Sequence, residues 1–98
     1  MNGQMRTVRK KYMKADYKEA VFFRKKEYNR NGWNELRIKA SEFLALDEDA
    51  EIKDVCEGML KNMLEGDRII AGSPEDPSED LEIAYYCDNL SESRRRLY

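Results

Sequence analysis

The sequence predicts a small α+β domain, with one central amphipathic helix over residues 49–65 packed on antiparallel β-hairpins. Three observations carry that expectation. Ile52, Val55, Cys56, Met59, Leu60, Met63 and Leu64 recur at spacings of three and four, the signature of one apolar helix face. Leu81, Ile83, Tyr85 and Cys87 alternate with Glu82, Ala84, Tyr86 and Asp88, as in a half-buried strand. Asn31-Gly32 supplies the two residues that a tight hairpin turn favours.

The N-terminal stretch "MRTVRKKYMK" fits neither period, and it reads as an edge strand or, over residues 1–13, as a loose basic arm. Around Asn31-Gly32, Val21, Phe22 and Phe23 have high strand propensity, and Leu36, Ile38 and Ala40 alternate with Arg37 and Lys39. Residues 16–40 therefore read as a hairpin. Two helices are the competing reading: Asp16 would cap the first and Gly32 would end it, and Trp33, Leu36, Ala40 and Phe43 would stripe the second.

The helix over 49–65 starts among acids (Asp47, Glu48, Asp49, Glu51), where its dipole favours them. Gly66 stands where a terminating glycine belongs. Beyond it, Ile69-Ile70-Ala71 is too short for a helix, and "SPEDPSED" cannot continue a strand. Strands near 68–72 and 81–87 are expected on either side of that loop. A helix starting at Ser78 is the alternative. The tail 91–98 reads as a frayed end or a short last helix. The expected core is Ile52, Val55, Met59, Leu60, Met63, Ile69, Ile83 and Tyr85, with Phe23, Trp33 and Leu36 from the first half.

At 98 residues the chain is expected to form a single domain, 1–98. Charged residues are 39%, against roughly 25% in an average globular protein. The hydrophobic fraction of 41% still suffices for a core. The longest uncharged run, Ile69–Pro74, is far too short to span a membrane, and the charged N-terminus lacks a signal-peptide core. The expectation is a soluble cytoplasmic protein with no membrane role. There is no histidine, and Cys56 and Cys87 lie far apart in sequence, so no metal site or other cofactor is expected. Two buried, reduced thiols are expected instead.

Catalysis is poorly supplied: no histidine serves as a base, no glycine-rich phosphate loop occurs, and no nucleophile motif is present. The expected function is binding, not enzymatic. Net charge is −2, but it is divided. Residues 1–40 hold 12 Lys and Arg against 4 Asp and Glu, whereas residues 41–98 hold 6 against 16.

That division suggests two interaction surfaces. The acidic one comprises Asp47, Glu48, Asp49, Glu51, Glu75, Asp76, Glu79 and Asp80. It would dock on a basic surface of a partner protein, as an inhibitor that mimics nucleic acid does. The basic alternative is a nucleic-acid-binding site of Arg6, Arg9, Lys10, Lys11, Arg24, Lys25, Lys26 and Arg30, with aromatics between. A homo-oligomer joining the basic half to the acidic half of a neighbour satisfies both charges. The order helix, strand, acidic loop, strand also imitates the recognition helix and wing of a winged-helix domain, which is the alternative fold expectation. Its charge is wrong for DNA: residues 47–67 hold eight acids and two bases, Lys53 and Lys61.

Overall fold

The computed structural model describes residues 14–88, 90 and 94–98. Among these, three helices alternate with three strands in the order α1 (Lys14–Arg30), β1 (Glu35–Lys39), α2 (Ser41–Leu46), α3 (Ile52–Leu60), β2 (Arg68–Ala71) and β3 (Glu82–Tyr86). The strands form one antiparallel sheet in the order β1-β3-β2. The protein is α+β as expected. The residue 1–13 arm and Arg6, Arg9, Lys10 and Lys11 lie outside the described residues.

The largest departure from expectation is residues 16–30, a helix where a hairpin arm was expected. The reason lies in which side chains face inward. Tyr17, Val21 and Lys25 are buried at a spacing of four, whereas Phe22 and Phe23 are 44% and 60% exposed. A lysine inside and two phenylalanines outside erase the helical period of the apolar residues. Asn31-Gly32 ends α1 instead of turning a hairpin. Gly32 (φ 77°) donates its N–H to the Asn29 carbonyl at 3.1 Å, and Trp33 donates to that of Tyr28 at 2.9 Å. This pair of bonds is a Schellman closure, sealed by Tyr28 and Trp33 rings 4.9 Å apart. Trp33 is thus a surface clasp, 53% exposed, and neither it nor Phe23 belongs to the core.

After that closure the alternation in β1 holds. Leu36 and Ile38 point inward opposite Tyr85 and Ile83 of β3, and Arg37 and Lys39 point outward. Beneath the sheet, Val55, Cys56, Met59 and Leu60 of α3 meet Val21 and Tyr17 of α1 and Phe43 of α2 in one apolar cluster. Each fully buried Val, Leu or Ile contributes about 2 kcal/mol. Val55, Met59, Leu60, Met63, Ile83, Tyr85 and Leu36 are buried as expected, and Ile52 and Ile69 pack against the cluster half-buried. Cys56 and Cys87 are buried free thiols.

The helix expected over 49–65 spans only Ile52–Leu60, and it is not a lone central helix, since α1 runs along it. Its last turn tightens: Asn62 and Met63 donate to carbonyls three residues back. The Asn62 side chain takes the Gly58 carbonyl (3.1 Å) and the Lys18 carbonyl of α1 (2.7 Å). The Asn62 carbonyl accepts from the Lys25 ammonium at 2.7 Å. The Asn62 carbonyl, which a longer α3 would have used, is committed to α1. Gly66 therefore terminates no helix. It sits in a separate turn closed by Asp67 N–H donating to the Leu64 carbonyl at 2.9 Å.

Residues 94–98 of the tail are tied down by hydrogen bonds to the segment after α3. Glu65 and Leu97 N–H groups donate to the Arg95 and Met63 carbonyls. Arg94 donates to the Glu65 and Tyr86 carbonyls and pairs with Asp67 at 2.7 Å. The Asp67 side chain is fully buried and accepts also from the Leu64 and Tyr86 N–H groups. This carboxylate joins the turn after α3, the central strand and the tail. Arg94→Ala removes its cation inside the protein and should cost about 3 kcal/mol, read as a fall in the thermal midpoint.

Alkaline pH should also destabilise the fold. Burial raises Tyr85 well above its ordinary 10.0, and burial raises Cys56 and Cys87 above 9.0. These groups keep their protons in the folded chain after the unfolded chain has lost them, so their contribution is whole below 9.0 and lost as pH rises. Burial of Lys25 lowers its pKa and acts in the opposite sense, one group against three. The thermal midpoint is expected to fall above pH 9.0, less steeply beyond 10.0 in Tyr85→Phe.

Candidate functional site

The eight acids of the expected docking surface fall on two segments that flank α3. Asp47, Glu48, Asp49 and Glu51 form the turn between α2 and α3, and Glu75, Asp76, Glu79 and Asp80 lie in the loop between β2 and β3. Seven are exposed; Asp47 is half-buried. Asp47 is a turn-former, its Oδ1 accepting from the Asp49 N–H at 3.0 Å. Glu51 is the residue before α3, in extended conformation, and its carbonyl accepts from the Asp54 and Val55 N–H groups.

The loop is built from two four-residue turns, each begun by a serine. In Ser73-Pro74-Glu75-Asp76, proline holds the second position, where its fixed φ is favourable. Ser73 Oγ accepts from the Glu75 N–H at 3.2 Å, and Asp76 N–H donates to the Ser73 carbonyl at 3.3 Å. In Ser78-Glu79-Asp80-Leu81, Ser78 Oγ accepts from the Asp80 N–H and the Leu81 N–H closes onto the Ser78 carbonyl, both at 3.2 Å. Both serines are committed to holding the acids outward. Ser78 caps no helix, because β3 follows it.

The loop also lies against the helices instead of projecting away. Ser41 N–H, at the start of α2, donates to the Glu79 carbonyl at 3.1 Å, and Ala40 donates to that of Leu81 at 2.8 Å. Cys56 Sγ in α3 lies 3.4 Å from the Ser78 carbonyl. Ser41 and Cys56 are about 9 Å and about 8 Å along their helices from the 47–51 turn. The tertiary structure thus brings both acid groups to the same pair of short helices. Between loop and helix is a cleft of about 270 Å³ lined by Lys53, Glu57 and Lys61 on one side and Pro74, Pro77 and Tyr98 on the other. Nothing local in the sequence brings Tyr98 to α3, so this cleft is not legible there. The Ser-Pro-Glu-Asp turn, by contrast, had a readable signal in its proline.

The basic alternative is not assembled in the same way. Lys25 is 2% exposed, its ammonium bonded to Asn62 and 5.1 Å from the centre of the Tyr85 ring. It cannot reach a phosphate, which corrects its assignment to that site. Desolvation lowers its pKa, and the nearby Asp67 charge works against that. Arg24 pairs with Glu42 at 3.3 Å. Lys26 and Arg30 remain exposed on α1, and Lys26 lies 5.5 Å from the Phe22 ring centre. Among the described residues, no group of three or more Cys, Asp or Glu is arranged to hold a metal ion. No helix there is long and apolar enough to cross a membrane.

Gly72, where β2 enters the loop, controls its path. It has φ 85°, and a Cβ there would stand 2.7 Å from Leu81 Cα. Gly72→Ala should cost about 2–3 kcal/mol, from backbone strain and from pushing the loop off β3. Gly32→Ala meets nothing within 4 Å and should cost only about 1 kcal/mol. Thermal melts of both variants check this, and equal losses would show that the Leu81 contact is unimportant. No protein-family model, characterised protein or solved structure matches this chain.

Proposed function

We propose that the chain is a non-enzymatic protein-binding module that presents its acidic face to a basic, nucleic-acid-binding surface of a partner protein and so inhibits that partner. One observation carries the reading. The segments 47–51 and 73–81 hold eight acids and no base, and both flank α3. The element order, with its β1-β3-β2 sheet, is compatible with a winged-helix-like arrangement. In such a domain α3 and the following loop are the parts that approach DNA. Here those parts repel phosphates and attract the kind of surface that binds phosphates. Two unpaired thiols suit a reducing compartment such as the cytoplasm.

Rigidity supports the reading as well. The loop acids stand on serine-held turns that are bonded to α2, so little ordering entropy is lost on docking. The partner's arginines and lysines would meet carboxylates already in place.

The test uses basic DNA-binding domains as probes, each loaded with fluorescent duplex. The protein is expected to displace the duplex, faster at low salt. Neutralising Glu75, Asp76, Glu79 and Asp80 to Gln or Asn should slow association by about tenfold and flatten its salt dependence. Displacement unchanged by the substitutions would remove the acidic face from the mechanism. Direct binding of the free protein to duplex or single strands, with a steep negative salt slope, would instead favour the exposed cations of α1 and the N-terminal segment.

A further inference from the structure

The outer face of α1 has an apolar centre with no partner among the described residues. Phe22 and Phe23 are 44% and 60% exposed on a well-formed helix. Isolated exposed apolar residues are ordinary, but adjacent phenylalanines on a helix midpoint are costly unless something covers them. The charges around them suggest what does so. Lys18, Glu19, Lys26 and Glu27 are all exposed. Glu19 and Lys26 are equidistant from the midpoint between Phe22 and Phe23 and, being seven residues apart, lie on the same face, whereas Lys18 and Glu27, nine apart, lie on opposite sides of the helix.

We infer that a second copy of this chain packs on this face, α1 against α1 antiparallel, about a two-fold axis passing between Phe22 and Phe23. Such an axis brings each residue level with the one equally far from the midpoint on the other side, and the two meet where both lie on the facing side of the helix. Phe22 and Phe23 then form the apolar centre of the contact with their counterparts. Glu19 meets Lys26 of the second copy, and the contact occurs twice, each time between opposite signs. A heterologous partner would not require a pattern complementary to itself.

Side chains on one helix interact at spacings of three and four. Glu27 finds Arg24 and Arg30 at such spacings, but Glu19 has Ala15, Asp16, Phe22 and Phe23, and Lys26 has Phe22, Phe23, Asn29 and Arg30. Neither Glu19 nor Lys26 finds an opposite charge within the helix. The Lys26 ammonium lies 5.5 Å from the Phe22 ring centre, so its stem extends the apolar patch while its charge stays at the rim. The face uses none of the eight acids of the proposed docking surface, so a dimer would present that surface twice. Contact between two single helices is at the small end of specific interfaces, which places self-association in roughly the micromolar range.

Sedimentation equilibrium of the full chain over a concentration series tests the inference. A monomer–dimer equilibrium is expected. Glu19→Lys places a lysine opposite the second copy's Lys26 at two symmetric points and should weaken the dimer by about tenfold or more. Lys26→Glu should do the same. The double variant Glu19→Lys with Lys26→Glu should return to near the original affinity, since each swap supplies the other's partner. Phe22→Ser with Phe23→Ser should give a monomer with an unchanged thermal midpoint, both side chains being exposed. A chain monomeric at every concentration overturns the proposal. So does a dimer indifferent to the single charge reversals, or a double variant that stays as weak as the singles.

Discussion

The ammonium of Lys25 is held inside the protein, between the end of α3 and the central strand. It donates to the Asn62 carbonyl and lies near the ring of Tyr85. Asn62 answers with its side chain, donating to the Lys18 carbonyl of α1 and the Gly58 carbonyl of α3. Tyr85 in turn donates its hydroxyl to the Met59 carbonyl at 2.8 Å. One polar knot therefore joins α1, α3 and β3. An isolated buried ammonium is costly, and it is tolerated here because a carbonyl, an aromatic face and the Asp67 charge all attend it.

Much of the remaining architecture follows from this seam. It turns the Tyr17–Val21–Lys25 face of α1 inward and so leaves Phe22 and Phe23 outward. It takes the Asn62 carbonyl, which a longer α3 would have used. The chain leaving α3 then enters the Leu64–Asp67 turn, where the buried Asp67 carboxylate gathers the tail through Arg94 and β3 through the Tyr86 N–H. Asp67 and the Lys25 knot are neighbouring parts of one buried polar network. That network resists the apolar core's tolerance for alternative packings, because each of its groups needs a particular partner.

The functional reading rests on a different part of the molecule, and it depends on the same order. The β2–β3 loop lies on α3 and α2 through Cys56 and Ser41, on a path set where Gly72 passes close to Leu81. Acids that are separated by more than twenty residues in sequence then flank one pair of helices. The outer face of α1, by contrast, carries a nearly balanced charge pattern around an apolar centre. The net charge of residues 1–40 conceals this balance, since Lys25 is inside and Arg24 is paired with Glu42.

The strands and the centre of α3 were legible because their periodicity is local. Leu36 and Ile38 alternate with Arg37 and Lys39, Ile83 and Tyr85 alternate along β3, and the stripe from Ile52 to Leu60 repeats at helical spacing. Side-chain direction within a strand or helix is set by the backbone period alone, so a sequence can express it. The acidic content of the 47–51 and 73–81 segments was equally plain. Four things were not: that residues 16–30 form a helix, that Lys25 is core while Phe23 and Trp33 are surface, that α3 stops at Leu60, and that Tyr98 reaches the cleft beside α3. Each depends on a partner distant in sequence, such as Asn62 for Lys25 or Glu65 for the tail. A lysine reads as surface and a phenylalanine as core until the packing supplies or withholds that partner, and only the tertiary structure decides which.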